Sequence, residues 1–106
     1  MPKILENIRE ILLQEAKRQV FENGYSSLTI RSVASACGIG VGTVYNYFES
    51  KDALVAGFML EDWGTCMTAI NNKSEISSEV EPVLRCIYDE LKLFADKYNF
   101  LIYQIF

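Results

Sequence analysis

Apolar residues recur every three or four positions along most of the chain, a spacing that predicts helices. Ile4, Ile8, Leu12, Ala16 and Val20 repeat every four residues, and Leu5, Ile11 and Phe21 widen the stripe. Residues 3–23 therefore form a first amphipathic helix, stopped by Asn23-Gly24. Residues 25–28 are a short connector, with Leu28 plugging the core. Ile30, Val33, Ala34 and Cys37 mark one face of a second, short helix. Thr29 suits its N-cap, because a hydroxyl can accept from an open backbone N–H. Gly38 ends it, because the residue after a helix usually takes positive φ, which glycine adopts without strain. Ile39 is the apolar plug of the turn. After Gly40 a third segment starts, in which Val44 and Phe48 face inward and Thr43, Tyr45, Asn46 and Tyr47 point elsewhere.

Glu49-Ser50 separates that segment from a long helix over residues 51–71. Ser50 is a good N-cap, and Asp52 suits the positive end of the helix dipole. Leu54, Val55, Phe58, Met59, Trp63, Cys66, Met67 and Ile70 form its apolar stripe. Residues 71–77 read as a polar loop. Ser78 and Glu81 match a capping box, and Pro82 falls in the first turn that follows, where its missing N–H is tolerated. A last helix runs to about residue 97, with Val83, Leu84, Ile87, Leu91, Phe94 and Ala95 inward and Tyr88 at the stripe edge. Tyr98-Asn99 reads as a joint. Residues 100–106 are almost wholly apolar, and exposed patches of that kind mark missing contacts. We expect sequence beyond residue 106 to bury them, in preference to a second copy of the chain.

Two short helices braced across a tight turn are the layout of a helix-turn-helix, whose second helix enters the DNA major groove. The second helix carries no charge between Val41 and Phe48; it offers hydroxyls, an amide and two phenols. A solvated face normally carries Lys and Glu, so an uncharged polar face suits close approach to another surface. The same spacing also fits an ordinary helical hairpin with the tyrosines in its core. Lys51 in the first turn of the long helix opposes the helix dipole, and a phosphate docked there would resolve the conflict.

From Phe21 to Leu54, the order and spacing of Gly24, Thr29, Ile30, Val33, Ala34, Gly38, Ile39, Thr43, Val44, Tyr45, Tyr47, Phe48, Lys51 and Leu54 resembles the DNA-binding domain of TetR-type transcriptional regulators. The segment 42–54 resembles that family's most recognisable signature. The likeness covers about the first half of the chain. It implies an all-α protein: a three-helix, homeodomain-like helix-turn-helix domain at residues 1–50. After it, residues 51–106 would be a connecting helix and the start of a helical ligand-binding and dimerisation domain. It also implies a homodimeric repressor that leaves a palindromic operator when a small-molecule effector binds. The long helix would link the two domains, and its tilt would change the spacing of the two DNA heads.

Family members place residues matching Arg31, Thr43, Tyr45, Asn46 and Lys51 on DNA. Tyr47 adds a further hydroxyl that can reach phosphate or base edges. Two departures matter. Gly40 stands where the family often has Ser, so the cap of the recognition helix is weaker. Val41 and Gly42 occupy positions where many relatives carry a polar or basic base-reading side chain, so any readout there is by methyl contact or close backbone approach. Trp63, Met67 and Tyr88 are candidates for lining a ligand pocket, against the plainer reading of core packing. The dimer interface is expected mostly beyond residue 106.

Net charge, −4 over 106 residues, looks wrong for a DNA binder until it is divided. Residues 1–53 hold six basic and six acidic groups, and residues 54–106 hold four and eight, so the acidity lies outside the candidate DNA domain. Local charge sets phosphate contacts. Lys17 and Arg18 lie off the first stripe and read as a solvated face rather than as phosphate contacts. Cys37, Cys66 and Cys86 are too widely spaced for a metal motif, and there is no histidine, so we expect no metal, cofactor or disulfide framework. All three cysteines read as small buried hydrophobes. Nothing resembles a nucleophile–base pair or a phosphate loop, which argues against an enzyme. No membrane-length apolar run or signal peptide is visible, which makes the cytoplasm the expected location. The competing function is a helical ligand-binding or adaptor module that does not touch DNA.

Overall fold

The computed structural model describes residues 7–105. Five α-helices follow one another: α1 (Ile8–Asn23), α2 (Ile30–Cys37), α3 (Val41–Tyr45), α4 (Lys51–Ile76) and α5 (Val80–Ile105), with a 3₁₀ turn at Tyr25–Ser27 between α1 and α2. No strand occurs among the described residues, as an all-α fold requires. The chain divides into two compact units, the first ending at Phe58 and the second starting at Met59. The sequence boundary was expected at residue 50. The division falls two helical turns later because Leu54, Val55 and Phe58, at the start of α4, are buried in the first unit.

The first unit is built on α1. Leu12, Ala16 and Val20 are fully buried, as their four-residue spacing demands, and Leu13 joins them. Ile11 and Phe21, expected to widen that stripe, are instead exposed; Gln19 takes a buried place. Residues 3–6, including Ile4 and Leu5, lie outside the described residues. Leu28 is fully buried between α1 and α2, as a plug should be. From α2, Ile30, Val33 and Ala34 enter the core; Val44 and Phe48 follow from the next segment. Burial of the larger of these side chains, Ile30, Val33, Val44 and Phe48, contributes about 1.5–3 kcal/mol each relative to exposure.

The ends of α2 are fixed by local chemistry. Thr29 Oγ1 accepts from the Ser32 N–H at 2.8 Å, and Ser32 Oγ accepts from the Thr29 N–H at 3.1 Å, a reciprocal cap. Gly38 takes φ 69°, while the Ile39 N–H reaches Ala34 O at 3.0 Å and the Gly38 N–H reaches Ser35 O at 3.2 Å. That pairing closes the helix with a Schellman motif. Gln19 then locks α2 onto α1: it accepts from Ser32 Oγ at 2.6 Å and donates to Ser32 O at 3.1 Å. Its amide also donates to Glu15, which Arg18 holds below the usual carboxylate range by hydrogen bonding. Arg18 also pairs with Glu22 at 2.5 Å, so it sits on a solvated, paired face as expected.

The second unit contains the rest of α4 and all of α5. Cys66 Sγ lies 3.6 Å from Glu90 O and Cys86 Sγ 3.9 Å from Ala69 O, while Asp62 meets Lys97 and Tyr98. Partners descend as the α4 number rises, so the two helices run antiparallel, joined by residues 77–79. Three expectations fail here. Helix α4 continues to Ile76 rather than ending near residue 71, because no glycine or proline interrupts Asn71–Ile76. The turn is therefore 77–79, and Ser77, not Ser78, accepts from the Glu79 N–H, at 3.2 Å. No joint occurs at Tyr98-Asn99: α5 runs straight through, and Tyr98 is fully buried, its hydroxyl donating to the Asp62 carboxylate. Burial and that carboxylate raise the phenol's pKa far above its usual value.

Two helices can bury only the seam between them. Cys66, Tyr98 and Leu101 are buried there; Leu84, Leu91 and Ala95, expected inward, are exposed, as are Ile102 and Tyr103. Of the cysteines only Cys66 is buried; Cys37 and Cys86 are half-buried, and burial pushes the Cys37 and Cys66 thiols up.

Candidate nucleic-acid interface

Helix α3 begins without a side-chain cap. Gly40 occupies the N-cap in extended backbone and supplies no side-chain acceptor. Helical bonding nevertheless continues past Tyr45: the Asn46 N–H reaches Gly42 O at 3.2 Å and the Phe48 N–H reaches Val44 O at 2.9 Å. Those bonds carry Phe48 into the core four residues after Val44. With Val44 and Phe48 inward, the rest of the segment faces out. Tyr45 is 53% exposed and Tyr47 44%. Gly42 and Asn46 are exposed, and Val41 and Thr43 half-buried. The reading that put the tyrosines in a hairpin core does not hold for this segment.

Arg31, Val41, Tyr45 and Lys51 come from three helices and line one shallow concavity, together with Thr29, Glu49 and Ser50. Arg31 is exposed at the start of α2. Ser50 Oγ accepts from the Ala53 N–H at 3.1 Å and so caps α4. Gly42, Thr43, Asn46 and Tyr47 lie outside that concavity, on the remaining open surface of the segment.

Lys51 stands differently from expectation. Its Nζ donates to Tyr25 O at 3.2 Å and lies 3.9 Å from the centre of the Tyr25 ring. The ammonium's conflict with the helix dipole is thus offset inside the protein, and it no longer points to a phosphate by itself. The Tyr25 hydroxyl donates to Asp52, whose carboxylate raises the phenol above its ordinary value. Sequence reading missed Tyr25 and Asp52 as parts of this surface. Their only local signal is an aromatic residue directly after the helix stop at Gly24.

The family model for bacterial regulatory proteins of the tetR family matches residues 12–57. The chain carries a TetR-family N-terminal domain. Three relatives extend the comparison. The HTH-type transcriptional regulator UidR of Escherichia coli (strain K12) is 40% identical over 48 residues, 44% of this chain and 24% of the relative. The HTH-type transcriptional repressor DhaR of Mycobacterium sp. (strain GP1) is 30% identical over 78 residues, 74% of this chain and 39% of that protein. An uncharacterized HTH-type transcriptional regulator of Bacillus subtilis (strain 168), YvdT, is 26% identical over 102 residues, 96% of this chain and 53% of its own length. The chain thus spans from about a quarter to about half of the relatives it matches. The TetR-type match covers the unit that carries α2, α3 and the concavity.

In the second unit, the ring of Trp63 meets Phe94 edge-on at 5.3 Å between centroids. Trp63 and Met67 are each 39% exposed and Tyr88 is 64% exposed. The groove along the α4–α5 seam is lined by Asp62, Cys66, Glu90, Phe94 and Lys97 among others, and by none of those three candidates. Among the described residues, no group of three or more acidic, Cys or His side chains could hold a metal ion. No described helix is long and apolar enough to cross a membrane.

Proposed function

We propose that the chain is the DNA-reading part of a sequence-specific transcriptional regulator, a ligand-responsive repressor that acts as a homodimer in the cytoplasm. The observation that carries this is the concavity in which Arg31, Val41, Tyr45 and Lys51 converge beside an exposed, charge-free recognition segment. Arg31 and Lys51 would neutralise phosphates. Thr43, Tyr45 and Tyr47 would donate hydroxyls to phosphate or base edges, and Asn46 would pair with an adenine edge. Val41 and Gly42 would meet the groove by methyl contact and close backbone approach. Two heads on a palindromic operator would read half-sites about one helical turn apart. A small effector in the C-terminal domain would govern release, with Trp63, Met67 and Tyr88 retained as candidate lining residues.

Selection of bound sequences from random duplex DNA tests the reading. A palindromic consensus is the expected result. Enrichment of nothing would favour a helical adaptor that does not touch DNA. On the selected duplex, Lys51→Ala weakens binding to all sequences and flattens the salt slope by about one unit. Asn46→Ala relaxes preference at one base position. Indifference to both changes would remove this face from the assignment.

A further inference from the structure

We propose that Tyr25 is a positioning residue for DNA binding: it holds Lys51 at the rim of the concavity, ready for a strand phosphate. The inference rests on the reading of this face as the DNA interface. Tyr25 lies in the 3₁₀ turn between α1 and α2, and Lys51 and Asp52 open α4, twenty-six and twenty-seven positions later. Three contacts join these distant segments. The Tyr25 carbonyl accepts from Lys51 Nζ, the ring lies beneath the ammonium, and the hydroxyl donates to Asp52.

The division of labour among those contacts matters. Any residue at position 25 would offer the carbonyl. The ring supplies the cation–π attraction that fixes which way the ammonium leans. The hydroxyl donates to the neighbouring Asp52 and so ties the 3₁₀ turn to the first turn of α4, a lesser contribution than the ring's. A held side chain loses less freedom on binding than a mobile one. Tyr25 itself is half-buried and is not among the residues lining the concavity, so it would act through Lys51 rather than on the strand.

A double-mutant cycle on the full chain, with the selected duplex as ligand, reads this directly. Tyr25→Leu is expected to weaken binding ~3- to 10-fold, in line with a cation–π contact plus lost ordering. In a Lys51→Ala background the same change should cost nothing further, because the group it positions is gone. Tyr25→Phe keeps the ring and should retain most of the affinity. A fold-wide defect would weaken both backgrounds equally, and that additivity overturns the proposal. Full affinity in Tyr25→Leu overturns it as well. If wild-type protein yields a consensus but Lys51→Ala binds it unchanged, Lys51 leaves the interface and this inference goes with it, while DNA binding stands. If no sequence is enriched at all, the functional reading itself fails.

Discussion

Glycine at position 42 is a residue the fold does not require. Its φ is not positive, and a Cβ placed there meets nothing within 4 Å. Yet glycine inside a helix is ~1 kcal/mol less favourable than alanine. On the proposed reading of this face, Gly42→Ala raises the thermal midpoint while weakening binding to the selected duplex, as a methyl group enters the space assigned there to a base edge. Higher stability with unchanged affinity would mean that the groove does not come close to this residue. Other single residues were legible from local chemistry alone. Thr29, Gly38 and Ser50 were identified as caps because a hydroxyl or a positive φ acts within three residues. Gln19 and Tyr25 were not, because their partners Ser32 and Asp52 lie 13 and 27 positions away. No periodicity carries that information.

At the scale of elements, what decides the first unit is how closely α4 can approach α1. Gly57 is buried there, and an added Cβ would stand 2.6 Å from Leu13 Cδ2 and 3.3 Å from Phe48 Cε1. Gly57→Ala should destabilise the unit by ~1–3 kcal/mol, the usual penalty of overpacking, measured by urea unfolding. A loss of only a few tenths would show that Leu13 can swing aside. The apolar spacing of α2 and the start of α4, and the Leu12, Ala16 and Val20 repeat of α1, foretold buried faces because each has a partner within the unit, whereas Ile11 and Phe21 are left exposed. The same logic failed for α5. Its stripe is wide, but α4 covers only one side of it, so Leu84, Leu91 and Ala95 are left out while Tyr98, taken for a joint, is enclosed. Polar runs misled in the opposite sense: Asn71, Asn72 and Ser74 read as loop, yet an exposed helix end accepts them.

For the molecule as a whole, charge sets the expectation. Residues 1–53 are neutral and residues 54–106 carry −4. Arg18 is engaged with Glu15 and Glu22, which cancels its contribution to a basic surface. Binding to random duplex should accordingly be weak and vanish near physiological salt, with a shallow salt slope, since few phosphates are neutralised. A titration that showed tight, sequence-blind binding at 150 mM salt would contradict this distribution. The first unit was largely readable because its caps, turn and most inward positions are set locally. The contact between Lys51 and Tyr25 was not, and it changes what Lys51 means. The crossing at Gly57 has one more consequence. A Cβ at that position would stand 2.6 Å from Leu13 Cδ2, so glycine there lets the opening turns of α4 lie close against α1. Gly64, further along the same 26-residue helix, is exposed with open space around it, so a methyl group there is accommodated without any repacking.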